Sequence, residues 1–254
     1  FGLLLAFGVF FAVIHSPVRV NAERNSFKIA VIGPMSGQDS SSGKAMLDGV
    51  RLAAREVNEK GGIQGHQVEV LSFDNMHDKN AAHEKALVVA TETDALAVIG
   101  HYYSSLSLIG GRVYKKYCIP AVTGSATAPE VTEESDWYVR VISNNNLRGK
   151  LSALYLKGIL EKKSVHIVYE KDAYGRTLRR AFEGAADDLG LSVKGVWGID
   201  SLNEDKKRRL EKIADQLAAD AGHKASLYVA LLDQEAAGLV KMLKDRGVDI
   251  PILG

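Results

Sequence analysis

The feature that most constrains this chain is a repeating order of short apolar run, polar loop and amphipathic segment, which begins at Phe27. The apolar runs are rich in β-branched residues, and the intervening segments have helical periodicity. Runs such as LAVIG (96–100) and SVHIVY (164–169) are largely apolar, as strands covered by helices on both faces must be. The sequence therefore predicts an α/β fold with parallel, doubly wound sheets.

The same pattern places the individual elements. Seven strands are predicted, at Phe27–Ile32, Val68–Phe73, Leu96–Ile99, Ala121–Thr123, Val165–Tyr169, Val193–Trp197 and Leu227–Leu231. The first helix is expected to follow Gly43 and to end at Gly61–Gly62. Its apolar face is predicted from the spacing of Met46, Val50, Ala53 and Val57.

The two ends of the chain and a polar segment in its middle suggest how it is divided. Residues 1–22 combine an apolar run with a small-residue site ending at Ala22, which is typical of a secretory signal peptide. Residues 143–146 (SNNN) predict a hinge between a first lobe (23–143) and a second lobe (144–248). Residues 249–254 are expected to begin a return to the first lobe. Because a strand starts at Pro251 as the sequence stops, we expect a fragment that lacks its C-terminal part.

Charge and cysteine content exclude several classes of function. The chain has 32 basic and 31 acidic residues, and a net charge of +1 does not favour nucleic acid or an anionic membrane as a partner. The single cysteine, Cys118, excludes an internal disulfide, a Cys-x-x-Cys redox pair and a thiolate zinc cage. Stability must therefore come from core packing.

Three partial matches to catalytic motifs are incomplete. The segment 37–45 resembles a phosphate-binding P-loop, but its glycine spacing is one residue too long and Ala45 replaces the magnesium-binding hydroxyl. Within it, Ser41 and Lys44 match Ser-x-x-Lys without the accompanying motifs of the enzymes that use it. The segment beginning at His83 has Leu87 where a zinc-protease helix has its second histidine. The sequence predicts neither an enzyme nor a cofactor.

Two hydroxyl-rich loops instead indicate a binding site. Gly100–Ser105 lies between a predicted strand and a helix, so Ser104 or Ser105 is expected at a helix N-terminus, where free amide groups favour a small anion. A serine that only caps the helix is the alternative. Gly124–Glu130 follows the next strand, and open α/β sheets bind ligands at this edge.

Five segments in order resemble the type I periplasmic binding proteins of the leucine/isoleucine/valine-binding family, across essentially all of the chain after residue 22. They are Gly33–Gly37, Asn58–Ile63, Gly100–Ser104, Ser125–Thr132 and Tyr169–Gly175. The resemblance implies two Rossmann-like lobes, joined by three crossovers, that close on an amino acid and deliver it to the permease of an ABC importer. It also implies a periplasmic protein, expected to be a monomer.

The resemblance also implies roles for individual residues. Ser104 and Thr127 would hydrogen-bond the ligand carboxylate. Ser125 would accept from the α-ammonium through its carbonyl, with Ala126 beside it in the same loop. Tyr174 would reach the ligand from the second lobe, although an aromatic that only packs its loop is the alternative. Ser41 and Ser42 fall where the first loop lines the side-chain pocket, and their contact with the ligand stays open.

Three departures from the family pattern concern specificity and covalent structure. Leu232 occupies a position that is often a ligand-facing tyrosine, and Asp233 or Gln234 would have to substitute for it. The acidic residue that pairs with the ammonium is expected beyond Gly254. The first-lobe disulfide of the family has no counterpart, since His77 and Tyr103 stand at those places.

Two functions therefore follow from the sequence. The first is a transport receptor that captures a branched-chain or related small amino acid, or an amide analogue, by hinge closure. The alternative is the ligand-sensing domain of an extracytoplasmic receptor or amide-responsive regulator, because the same lobes serve there. An enzyme that uses a nucleotide is the third and least supported interpretation.

Overall fold

A computed structural model describes residues 26–200, 205–220 and 225–254. The predicted signal peptide, residues 1–22, lies outside the described residues. The chain forms two parallel sheets with helices between successive strands, which confirms the predicted α/β class.

The first sheet has five parallel strands in the order β2-β1-β3-β4-β5. Its elements are β1 (Ser26–Gly33), α1 (Ser40–Glu59), β2 (Gln67–Asp74), α2 (Lys79–Glu92), β3 (Ala97–Gly100), α3 (Ser104–Tyr117), β4 (Ala121–Thr123), α4 (Glu130–Glu133) and β5 (Tyr138–Arg140). The short edge strand β5 is absent from the predicted strands, because the sequence assigns this segment to the approach to the hinge.

The second sheet has four parallel strands in the order β7-β6-β8-β9. Its elements are α5 (Asn145–Leu154) with a following π-helical turn (Tyr155–Ile159), β6 (Ser164–Glu170), α6 (Ala173–Asp188), β7 (Ser192–Ile199), α7 (Lys206–Ala219), β8 (Ser226–Ala230), α8 (Asp233–Asp245) and β9 (Ile252–Leu253). The expectation that residues 249–254 begin a return to the first lobe is wrong. Ile252 and Leu253 pair with Leu227 and Tyr228 of β8, so β9 extends the second sheet.

Alternation along the strands of the second sheet explains why helices cover both of its faces. All five residues of β8 are buried. Leu227 and Val229 pack in one core cluster with α7 and α8, whereas Tyr228 and Ala230 pack in another with α6. Since successive side chains of a strand point to opposite faces, an apolar strand of this kind requires cover on each side.

Helix α1 begins earlier than predicted, and its buried face largely agrees with the predicted one. It starts at Ser40, so Ser41 and Ser42 lie in its first turn and not in a loop. Its fully buried residues are Gly43, Leu47 and Ala54; the predicted Met46, Val50 and Val57 are half-buried on the same face, and only Ala53 is exposed. Gly43 packs closely, since an added Cβ would meet the backbone of Pro34. Gly62 ends the helix as predicted, with a positive φ and its amide donating to the Val57 carbonyl.

Candidate functional site

A cavity of about 250 Å³ lies between the two lobes. Its walls come from residues that follow the carboxyl ends of five strands, namely β1, β3, β4, β6 and β8. This is the edge at which parallel α/β sheets bind ligands. Six of the eight residues predicted from the sequence line it: Ser41, Ser42, Ser104, Ser125, Tyr174 and Leu232.

Ser104 is the first residue of α3 and joins the two loops predicted to bind the carboxylate. It is 2% exposed, and its Oγ accepts hydrogen bonds from the amides of Thr127 and Ala128, both at 3.1 Å. A hydroxyl has two acceptor lone pairs and one donor hydrogen, so this arrangement uses the acceptors and leaves the hydrogen for another group. The alternative, a serine that only caps α3, does not describe this geometry, because the side chain bonds to the neighbouring loop.

The neighbouring loop presents Ser125 to the cavity but keeps Ala126 and Thr127 behind the wall. The Ser125 hydroxyl donates to the Tyr102 carbonyl at 2.7 Å. Ala126 is buried, its amide donating to Thr123 Oγ1 and its carbonyl accepting from Arg140. Thr127 is also buried, and no hydrogen-bond partner of its Oγ1 is found in the described part of the chain. Neither residue lines the cavity, so contact of Ala126 and Thr127 with a ligand stays a prediction.

Asn145 connects this loop to the second lobe at the predicted hinge. Its amide donates to the Thr127 carbonyl at 2.8 Å, and its side chain donates to Thr177 Oγ1 at 2.7 Å and to the Tyr174 carbonyl at 3.0 Å. The preceding residue, Asn144, caps α5 by accepting from the Leu147 amide. The polar SNNN segment thus joins the two lobes through the Asn145 amide, and Gln234 joins them a second time by donating to the Gln38 carbonyl at 3.4 Å.

Tyr174 reaches the cavity from the first turn of α6. Asp172 caps this helix, accepting from the Gly175 amide at 2.8 Å. Gly175 is required because an added Cβ would meet the backbone of Glu170. Burial raises the pKa of the Tyr174 hydroxyl, although the nearby Arg148, which hydrogen-bonds to it, opposes the shift. The residue remains a neutral hydroxyl at the cavity wall while its ring contacts the second-lobe core.

His77 and Tyr103, which occupy the places of the family disulfide, are in direct contact. Their rings stack with centroids 3.6 Å apart and an interplanar angle of 11°. His77 Nδ1 lies 2.6 Å from Asp39 Oδ2, and Asp39 and Tyr103 both line the cavity. Burial, with the carboxylate of Asp39 adding to it, raises the pKa of Tyr103 above its ordinary value. A stacked aromatic pair therefore links the segment after β2 to the start of α3, at the place where the resemblance implies a disulfide in other family members.

The loop that carries Ser104 rests on a buried histidine. His101 Nδ1 lies 3.0 Å from Asn75 Nδ2, and its Nε2 lies 2.8 Å from the Tyr114 hydroxyl. Complete burial lowers the pKa of His101 to about 3, so the ring is neutral at physiological pH. Its carbonyl accepts from the Ser107 hydroxyl at 3.0 Å. These bonds fix the backbone immediately before the cavity wall.

Sequence reasoning missed several wall residues, and the most important is Arg148. This half-buried side chain projects from the first half of α5, four residues after the cap Asn144. Tyr102 and Glu235 were missed as well, whereas Asp233 and Gln234, named as substitutes for the family tyrosine, do line the cavity beside Leu232. Nothing in the sequence marks Arg148 as a wall residue, because its position depends on the packing of α5 against α6.

Neither a metal-binding cluster nor a membrane-spanning helix is present in the described ranges 26–200, 205–220 and 225–254. Within them, no group of three or more His, Cys, Asp or Glu side chains is placed to hold a metal ion. The helices of that part of the chain are too short or too polar to cross a membrane.

Two parallel α/β lobes with a hydroxyl-lined cavity between them define the class of bilobal ligand-binding proteins. The chain belongs to the periplasmic binding protein family, whose model matches residues 26–254. This family consists of solute-binding proteins, which confirms the expectation that the chain is not an enzyme.

Individual relatives agree with this assignment. An amino acid binding protein of Pseudomonas aeruginosa is 28% identical over 221 residues, which cover 87% of this chain and 58% of the relative. The Leu/Ile/Val-binding protein of Escherichia coli is 28% identical over 219 residues, or 84% of this chain and 59% of the relative. A crystal structure of a leucine binding protein from Thermotoga maritima superposes with a TM-score of 0.78 at 26% identity, covering 89% of this chain and 62% of the other. The chain thus spans about three fifths of these relatives.

Proposed function

We propose that this protein is a periplasmic receptor that captures a small amino acid, or a related carboxylic acid, between its lobes and delivers it to an ABC importer. The observation that carries the proposal is the position of Ser104 on the cavity wall, with both acceptor lone pairs engaged and its hydrogen available. The names of the relatives support the amino acid as ligand class.

Binding follows from the geometry without any chemical step. The first lobe supplies the Ser104 hydroxyl at the positive end of α3, which favours a carboxylate. The second lobe supplies Tyr174 and the segment 231–235 from the opposite side. A ligand that contacts both lobes stabilises the closed arrangement, because only that arrangement makes both sets of contacts. The importer would then recognise the closed form.

Calorimetry of the full-length protein against amino acids, their amides and short organic acids tests the proposal. We expect at least one carboxylic acid to bind, and Ser104→Ala to weaken it by on the order of 10- to 100-fold, the value of one charge-assisted hydrogen bond. Ser105→Ala is the matched control, since Ser105 lies one residue further along α3 and outside this cavity.

Because Ser104 also holds two backbone amides, its replacement disturbs the fold locally. Tyr174→Phe removes only a hydroxyl on the opposite wall and keeps the ring, so it tests the same cavity without that disturbance. If Ser104→Ala and Tyr174→Phe both left the affinity for the best ligand unchanged, the ligand would lie elsewhere and the proposal would be wrong.

A further inference from the structure

The charges on the cavity wall are unequally satisfied. Asp39 contacts His77 at 2.6 Å, and Glu235, which is 7% exposed, forms an ion pair with Lys206 at 2.8 Å. Each of these two carboxylates therefore has a partner within the protein: a histidine ring for Asp39 and a lysine for Glu235. Arg148 and Asp233 also line the cavity, and in the part of the chain that the structure describes neither has an oppositely charged group within 4.0 Å.

The two remaining charges differ in their surroundings. Asp233 is exposed and stays hydrated at the start of α8. Arg148 is half-buried between the lobes. Its guanidinium donates a hydrogen bond to the neutral hydroxyl of Tyr174. A guanidinium has five donor hydrogens in a planar fork, so one phenolic partner leaves most of its donors to water.

A ligand that fills this small cavity must displace that water. Stripping water from a charged group costs free energy unless an acceptor replaces it, and an aliphatic side chain offers none. A carboxylate offers two acceptor oxygens that match the guanidinium fork. The part of the wall that Arg148 forms is therefore poorly suited to a purely apolar ligand side chain, although Leu231 and Leu232 also line the cavity.

We propose that Arg148 is a specificity-determining residue that binds a second carboxylate of the ligand. This assignment rests on the proposed function. It places the ligand among the small dicarboxylic acids, a class that includes the acidic amino acids, which also carry an ammonium group. Ser104 on the first lobe holds one carboxylate and Arg148 on the second lobe holds the other. The ligand then joins the lobes through an anionic group at each end.

Calorimetry of the full-length protein with glutamate, aspartate and succinate, set against leucine and isoleucine, tests this assignment. The wild type should bind at least one dicarboxylate more tightly than either aliphatic amino acid. Arg148→Met should weaken the dicarboxylate by on the order of 10- to 100-fold. It should not weaken leucine or isoleucine binding, since it removes a charge that an aliphatic side chain would have to dehydrate. Arg148→Lys should recover part of the loss. Lys150→Met removes a cation from the same helix outside the cavity and should change neither class.

The outcomes separate this inference from the proposed function. Tighter binding of leucine or isoleucine that depends on Ser104 would overturn the role of Arg148 and leave the proposed function standing. Equal weakening of every ligand by Arg148→Met would also overturn it, since that pattern indicates a partner within the protein such as Asp233. Failure of the whole panel to bind would count against both.

Discussion

Glycine-to-alanine substitutions at two positions of α1 are expected to have effects of opposite sign. An ideal Cβ at Gly43 would lie 2.6 Å from the Pro34 carbonyl carbon and closer still to its oxygen, and this backbone cannot rotate away as a side chain would. At Gly49, in the same helix, a Cβ would meet nothing within 4 Å. Both changes gain about 1 kcal/mol of helix propensity.

The packing at Gly43 decides the difference. Forcing a methyl group into a closely packed contact costs about 1–3 kcal/mol. Because the neighbour at Gly43 is backbone and not a flexible side chain, we place the cost of Gly43→Ala at the upper end of this range. We therefore expect Gly43→Ala to lower the free energy of unfolding by about 1–2 kcal/mol after the propensity gain. Gly49→Ala should raise it by about 0.5–1 kcal/mol.

Urea unfolding followed by far-ultraviolet circular dichroism measures both changes. Gly43→Ala should also weaken ligand binding, because it would displace the first turn of α1, which holds Ser41 and Ser42 at the cavity wall. Equal stabilisation by the two substitutions would refute the reasoning, since it would mean that the helix N-terminus does not approach Pro34 closely.

Three further predictions concern buried polar groups. The pKa of His101 is about 3 in the folded protein and about 6.5 in the unfolded chain, so the unfolded chain binds a proton first as the pH falls. The free energy of unfolding should therefore decrease below pH 6.5, by about 2 kcal/mol at pH 5. Urea titration should show a smaller decrease in His101→Gln. Asn145→Ala removes two side-chain hydrogen bonds at the hinge and should cost about 1–3 kcal/mol in the same assay. Lys206→Met leaves the buried Glu235 carboxylate unpaired and should cost about 1–3 kcal/mol, and adding Glu235→Gln should restore part of it in a double-mutant cycle.

The positions of the strands were predictable because buried strands in a parallel sheet have a strong local signature. The seven strands predicted from Phe27 to Leu231 all appear, with their ends shifted by at most two residues. The strand β5 was missed, since three residues are too few for a periodic pattern and its pairing with β4 is a non-local contact. The sheet that β9 joins was also missed, because the sequence of a strand does not indicate its pairing partner.

The candidate site was predictable where it depends on chain order. Residues directly after parallel strands meet at one sheet edge, so Ser104 and Ser125 could be placed together from sequence. Tyr174 follows a strand of the second sheet, and it was placed through the family resemblance. The burial of Thr127 could not be predicted, because it depends on non-local packing that chain order does not reveal. Arg148 was missed for the same reason, since only the packing of α5 against the second lobe brings it to the cavity.

The position of the bound ligand tests the central claim most directly. A crystal structure of the full-length protein with the tightest-binding acid from the calorimetric panel would show it. The account predicts a carboxylate oxygen within hydrogen-bond distance of Ser104 Oγ, with Tyr174 on the opposite side. An unoccupied interlobe cavity, with the acid bound at another place on the protein, would contradict it.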